Sequence, residues 1–249
     1  TKAVSSSDVY DLYSASKVVT MTAAMQLVEA GLIHLDDPVS KYLPAFDKMR
    51  LDPEFKVGEF PFTWPTNEAK TIPAKNPILI KDLMMMTAGL SYDLCSEPIQ
   101  RVKFESNGEA GTVEIVNAIA EMPLIAEPGT RFSYGLGHDV IGAVIEVVSG
   151  KRFSEYMKKN IFDPLEVFDL AYQVTDEART RLSAQYECDM ETGNIQPKPD
   201  MGFRLTKRFE SGGAGLVGSV DSYSLIIDAL ANDGIGHTGA RILKKESIQ

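Results

Sequence analysis

Leu12-Tyr13-Ser14-Ala15-Ser16-Lys17 opens a segment in which Val18, Met21, Met25 and Val28 recur at steps of three and four residues until Gly31. That period belongs to an α-helix with an apolar stripe, and a glycine just past the last periodic residue is the usual left-handed stop, so a helix is expected over 14–30. The Ser14 hydroxyl and the Lys17 amine then stand one turn apart on one face, with Cβ atoms about 5–6 Å from each other. A serine hydroxyl is a poor nucleophile until a base takes its proton, and lysine supplies that base where burial or a neighbouring cation favours its neutral form. The free N–H groups and positive dipole end of a helix N-terminus also favour a developing oxyanion there. An ordinary N-capped helix with a solvated lysine has the same four letters, so the pair becomes chemistry only with partners from elsewhere.

Working outward, Leu32 to Phe46 reads as a turn at Asp36-Asp37-Pro38, a short helical piece and a stop at Pro44. Met49 to Pro77, spaced by Pro53, Pro61, Pro65, Pro73 and Pro77, reads as a long irregular loop packed through Phe55, Phe60, Phe62 and Trp64. Helices are expected at 80–87 before Gly89, 112–121 before Pro123, 138–149 before Gly150, 154–160 before Pro164, and 221–232 with Asp221 as N-cap. Leu182 to Ile195, with Thr192-Gly193-Asn194 between two partly alternating runs, reads as a hairpin. Helices dominate and few strands are visible. Just ahead of the 138–149 helix, Pro128-Gly129-Thr130-Arg131-Phe132-Ser133-Tyr134-Gly135-Leu136-Gly137-His138 presents a tyrosine on a glycine-flanked loop. Loops held by rigid elements are where reactive groups are displayed, so Tyr134 is a candidate phenolic acid or base.

The wording and order of these segments resemble the serine β-lactamase and penicillin-binding-protein superfamily, in its class C-like branch of esterases and D-Ala-D-Ala carboxypeptidases. Leu12 through Lys17 resembles the nucleophile motif, and Gly31-Leu32-Ile33-His34-Leu35-Asp36-Asp37-Pro38-Val39 the run that follows it. Leu83-Met84-Met85-Met86-Thr87-Ala88-Gly89-Leu90 resembles the family's "LL-x-H-T-S-G-L" helix end, and Pro128-Gly129 through Tyr134 its "PG-x-x-x-x-YS" segment. Gly212-Gly213-Ala214-Gly215-Leu216 resembles its glycine-rich active-site edge. The resemblance implies an α+β fold, an α/β sandwich of the serine β-lactamase/transpeptidase type, forming one catalytic domain over 1–249. It also implies that mostly the helical part lies in these residues and that the antiparallel sheet lies largely outside them, the domain being incomplete at both ends. The remaining strands would come from residues beyond these 249, another chain or disorder, and the 249 residues alone would be feebly active for want of a second oxyanion donor.

By the same resemblance Ser14 is the acylated nucleophile, Lys17 its activating partner and Tyr134 the base that relays the proton to the leaving group, with Leu136 and Gly213 at the substrate. Many relatives have Tyr-x-Asn where this chain has Tyr134-Gly135-Leu136, which removes an amide that would contact a β-lactam side chain and points to an ester, amide or D-Ala-type peptide substrate. The expected function is a metal-free serine hydrolase working through an acyl-enzyme. The alternative is a catalytically silent relative that binds a peptide or cell-wall ligand.

The chain has 249 residues, 44% hydrophobic, with a formal net charge of −10. Such composition excludes a disordered polyelectrolyte, and an acidic surface repels phosphate backbones, so no nucleic-acid partner is expected. The greasiest segment, Val140 to Val148, is broken by Glu146 and is too short to span a membrane. No signal peptide is visible after Thr1-Lys2, and the resemblance fits the cell envelope or the cytoplasm equally. Cys95, Cys188, His34, His138 and His237 show no metal-ligand spacing, so no cofactor is expected, and sequence does not decide whether the two thiols pair. Two decoys are set aside. His237-Thr238-Gly239 imitates the family's third motif but sits in a turn straight after a helix. Gly213 to Gly218 satisfies G-x-G-x-x-G, yet Lys207 to Ser211 is no apolar strand of a dinucleotide fold.

Overall fold

The structure is a computed structural model and describes residues 3–56, 64–174, 176–198 and 202–248. Helices carry it: α1 (Ser16–Glu29), α2 (Ile80–Met84), α3 (Glu97–Glu105), α4 (Thr112–Ile119), α5 (Gly137–Ser149), α6 (Phe153–Met157), α7 (Asp176–Arg181) and α8 (Val220–Ala231). Short strands form three two-stranded antiparallel sheets among the described residues. These pair β1 (Val9–Asp11) with β6 (Val217–Ser219), β2 (Arg50–Leu51) with β3 (Ile72–Pro73), and β4 (Gln185–Cys188) with β5 (Ile195–Lys198).

The organising element is α5. Apolar on nearly every face from Val140 to Ile145, it is buried all round and packs against α1, α2, α4 and α6, as a helix without a polar side must. It stops where expected, at Gly150 in the left-handed conformation (φ 65°), and α1 stops likewise before Gly31 (φ 68°). The packing of α1 relies on small residues, since Ala23 and Ala24 are fully buried beside Val19 and Leu27. Backbone donors at the starts of α2 and α4 are satisfied by carboxylates one turn in: Asp82 accepts from the Leu79 N–H at 2.9 Å and Glu114 from the Gly111 N–H at 2.5 Å.

Several boundaries differ from the sequence expectations for physical reasons. The first helix begins as a tighter 3-10 turn, Tyr13–Ala15, before α1 proper. The α8 cap is Ser219, whose Oγ accepts from the Ser222 N–H at 3.1 Å, so the cap lies two residues before Asp221. The 154–160 helix is α6 followed by a wider π turn, Lys158–Phe162, reaching almost to Pro164. The proline-spaced loop gains the β2–β3 pair and stacks Phe55 on Trp64, with centroids 6.3 Å apart; Phe60 and Phe62 lie outside the described residues. The hairpin is present, with Asp189 to Asn194 as its loop, while α3, α7 and the β1–β6 pairing were not anticipated. Cys95 and Cys188 are free and exposed. Among the described residues no helix is long and apolar enough to cross a membrane.

Phe153 is fully buried and meets the Tyr172 ring at 4.8 Å between centroids. Phe153→Ala should therefore cost about 3–5 kcal/mol, read from the urea midpoint at unchanged slope, and a loss below about 1 kcal/mol would contradict this packing.

Candidate active site

The 3-10 turn and the first turn of α1 bring Ser14 and Lys17 together, and the loop before α5 brings Tyr134 to them. The Ser14 and Tyr134 hydroxyls are 2.5 Å apart, and Lys17 Nζ donates to Ser14 Oγ at 3.2 Å. Lys17 is 9% exposed, while Ser14 and Tyr134 both reach solvent, so the ammonium is the buried floor of an open site. Its second acceptor is the Gly213 carbonyl at 2.7 Å, and its Nζ lies 4.7 Å from the centroid of the Tyr134 ring and 5.7 Å from that of Tyr92. Four of the five residues singled out from sequence thus meet: Ser14, Lys17, Tyr134 and Gly213. Leu136 does not. It is 1% exposed and packs in the core, because its N–H donates to the Ser91 carbonyl at 3.0 Å and the chain turns inward there to start α5.

Residues that sequence reasoning missed hold the floor in place. Asp139 is buried on α5 and accepts from Ser211 Oγ at 2.5 Å and from the Gly213 N–H at 3.3 Å. A Cβ on Gly213 would stand 2.6 Å from Asp139 Oδ2, so only glycine fits between carboxylate and lysine. The signal available was a carboxylate inside an otherwise apolar helix, one residue past His138. Burial raises the Asp139 pKa against the Ser211 and Gly213 hydrogen bonds that lower it. His138 is pushed down to about 4, chiefly by burial and further by the Lys17 charge, so it is neutral at neutral pH.

The two tyrosines around Lys17 differ in character. For Tyr134, burial raises the phenol pKa, but hydrogen bonding to Lys17 and Ser14 and the Lys17 charge outweigh it, and the net shift is downward. For Tyr92, burial dominates and the charge of Asp139 adds to it, so its phenol stays protonated well above the ordinary tyrosine range. The rings are 5.4 Å apart at 57°. Environments that drive two like groups apart in acidity create an acid and a base from the same side chain.

Residues 1–247 match the family model described as Beta-lactamase. The chain belongs to the beta-lactamase family. Lovastatin esterase of Penicillium rubens is 33% identical over 234 residues, covering 92% of this chain and 56% of that protein. Acyltransferase mokF of Monascus pilosus is 27% identical over 242 residues, 95% of this chain and 55% of that one. Among solved structures, EstCE1, a hydrolase with promiscuous acyltransferase activity, superposes with a TM-score of 0.72 at 26% identity, over 99% of this chain and 64% of that one. Unliganded simvastatin synthase (LovD) from Aspergillus terreus, in its selenomethionyl derivative, reaches 0.75 at 23% identity over 98% of this chain and 58% of that one, a likeness of fold alone. The chain spans 51–58% of the length of such curated relatives. Helices with small antiparallel sheets are thus a part of the serine β-lactamase/transpeptidase fold, the α+β class expected from the sequence.

In this beta-lactamase-family chain, a difference titration of the phenol absorbance between the unsubstituted protein and Tyr134→Phe should show the missing phenol ionising below 10.0, the ordinary tyrosine value. The difference curve of Tyr92→Phe should lie above that value. The reverse order would overturn the electrostatic description of the site.

Proposed function

We propose that the protein is a serine acyl hydrolase that works through an acyl-enzyme on esters, with amides and D-Ala-type peptides as weaker alternatives within the same chemistry. The observation that carries this reading is one oxygen, Ser14 Oγ, in simultaneous hydrogen-bond contact with a phenol of lowered pKa and with a buried ammonium. In the phenolate form, Tyr134 takes the Ser14 proton as Oγ attacks the acyl carbonyl, and Lys17 keeps its positive charge beside the phenolate so that the transfer develops little net charge. The tetrahedral oxyanion collapses, the alcohol leaves with the proton held by Tyr134, and the acyl group stays on Ser14. Water then gives its proton to Tyr134 and attacks the ester, releasing the acid and returning the proton to Ser14.

Leu136 in the core offers no amide toward a β-lactam side chain, which favours esters over antibiotics. That one relative is an esterase and another an acyltransferase supports acyl transfer.

A fluorophosphonate probe incubated with the full-length protein should add its mass to Ser14 and to no other residue, and Ser14→Ala should neither label nor hydrolyse a p-nitrophenyl ester while melting within a few degrees of the unsubstituted protein. Unlabelled Ser14 in a folded protein would instead favour a silent binding protein. Lys17→Arg should be nearly as damaging as Lys17→Ala, with at least about a hundredfold loss of acylation rate, because a planar guanidinium fork cannot reproduce the compact point-charge contacts of the ammonium to Ser14 and Gly213. An arginine variant that keeps most of the rate would show that the close ammonium contacts to Ser14 and Gly213 are not needed for acylation.

A further inference from the structure

A row of rings leads away from the nucleophile. Tyr134, bonded to Ser14, tilts against Tyr92 at 5.4 Å; Tyr92 tilts against Phe203 at 5.9 Å; and Phe203 meets the edge of Tyr13 at 6.1 Å and 83°. Tyr13 is the residue before Ser14, so the row closes back on the reacting serine. Tyr92, Phe203 and Tyr13 are half-buried and Tyr134 is 43% exposed, which leaves ring surface at the mouth of the site.

The polar groups behind this row bond one another, with the buried Arg204 Nε left without a partner among the described residues. The Tyr13 hydroxyl donates to Gln185 Oε1, Gln185 Nε2 donates to Asp11, and Arg204, the neighbour of Phe203, donates to the other Asp11 oxygen. The Asp11 side chain is 4% exposed, so this carboxylate is a buried anchor shared by β1, the β4–β5 hairpin and the 202–204 segment. Tyr13 is held in the left-handed region (φ 45°), which a tyrosine adopts only when its surroundings impose it. The ring positions are therefore fixed before any ligand arrives, and the guanidinium next to Phe203, that of Arg204, is paired with Asp11.

We propose that Tyr13, Phe203 and Tyr92 form a preorganised binding wall for an uncharged, apolar acyl group of roughly four to eight carbons on the ester cleaved at Ser14. This rests on the acyl-enzyme reading of Ser14 and adds to it the chemical class of the acyl group. Ring faces take up methylenes released from water, each worth a few-fold in binding, and gain little from an acetyl group, which ends before it reaches them. A carboxylate at the far end of the acyl chain meets aromatic surface and a guanidinium already paired with Asp11, so it is rejected at the cost of its desolvation.

The experiment uses the full-length protein and three p-nitrophenyl esters: acetate, hexanoate, and the monoester of adipic acid, which has the hexanoate chain length with a terminal carboxylate. Hexanoate should exceed acetate in kcat/KM by at least about tenfold, adipate should fall at least about tenfold below hexanoate, and Phe203→Ala should cut the hexanoate-to-acetate ratio at least about fivefold. Phe203→Leu, which keeps apolar surface and tolerates packing better, should cut it less. A flat acetate-to-hexanoate profile, adipate turned over as fast as hexanoate, or a preference untouched by both Phe203 variants would overturn the wall. The profile of the unsubstituted protein decides even if Phe203→Ala does not fold. Ester turnover that survives Ser14→Ala would overturn the acyl-enzyme reading and the wall with it, whereas a flat profile abolished by Ser14→Ala would overturn the wall alone.

Discussion

Three side chains on the first two turns of α1 hydrogen-bond the main chain of residues 212–216, and the site depends on that seam. Ser16 Oγ accepts from the Leu216 N–H at 3.0 Å, Lys17 Nζ donates to the Gly213 carbonyl at 2.7 Å, and Thr20 Oγ1 donates to the Gly212 carbonyl at 2.7 Å. All are buried, so each broken bond would leave a desolvated polar group, a cost of about 1–3 kcal/mol and more for the ammonium. One register of α1 against the glycine run satisfies all three. The seam is backed by α5: a Cβ on Gly212 would stand 2.3 Å from the His138 carbonyl oxygen, as one on Gly213 would crowd Asp139. Sequence freedom is lost there because the His138 carbonyl, the Thr20 methyl and the Asp139 carboxylate already fill the space a side chain would need.

That seam also sets the electrostatics. Lys17 is held in a nearly dry position by the Gly213 carbonyl, Ser14 and the faces of two tyrosine rings, which lower the cost of a buried cation without neutralising it. An unneutralised cation pulls the Tyr134 phenol down in pKa, whereas Tyr92, with more of its ring buried and Asp139 acting on it, is pushed up. His138, kept neutral by the same burial and the same cation, adds no competing positive charge. A full carboxylate partner for Lys17 would remove the asymmetry; Asp139 instead spends its hydrogen bonds on Ser211 and the Gly213 N–H and acts on the lysine at one remove.

What sequence made legible were features carried by a few neighbouring residues. The periods of α1 and α5, the left-handed stops at Gly31 and Gly150, and the Ser14–Lys17 spacing are all local, and Tyr134 stood out on its loop. What stayed hidden was set by distance or by brevity. The β1–β6 pair joins Val9 to Ser219 through three residues a strand, too few to show alternation. The α3 helix is short, and its start at Ser96-Glu97-Pro98 carried a proline signal without a strong apolar stripe to support it. Asp139 and Ser211 are ordinary letters until folding places them 2.5 Å apart. Leu136 misled because the triplet that displays Tyr134 outward must turn its third residue inward: Gly135 lies against the Leu90 carbonyl, where a Cβ would come within 2.2 Å, and the chain beyond it is already entering the core.

The 3-10 turn at Tyr13–Ala15 explains a contact that an α-helix alone would make less well. In a 3-10 turn the side chains at i and i+3 eclipse, whereas in an α-helix they are offset by about 60°. A tightened start to the helix therefore rotates Ser14 toward Lys17, consistent with their 3.2 Å contact. Tyr13 leads into this turn at φ 45°. The unfavourable backbone conformation, on the order of 1–3 kcal/mol, is offset by the tyrosine's own side chain, through its bond to Gln185 and its edge contact with Phe203. A glycine at position 13 would relieve the backbone but lose both anchors, so the strain and the tether that stabilises it belong to the same residue, next to the nucleophile whose orientation they fix.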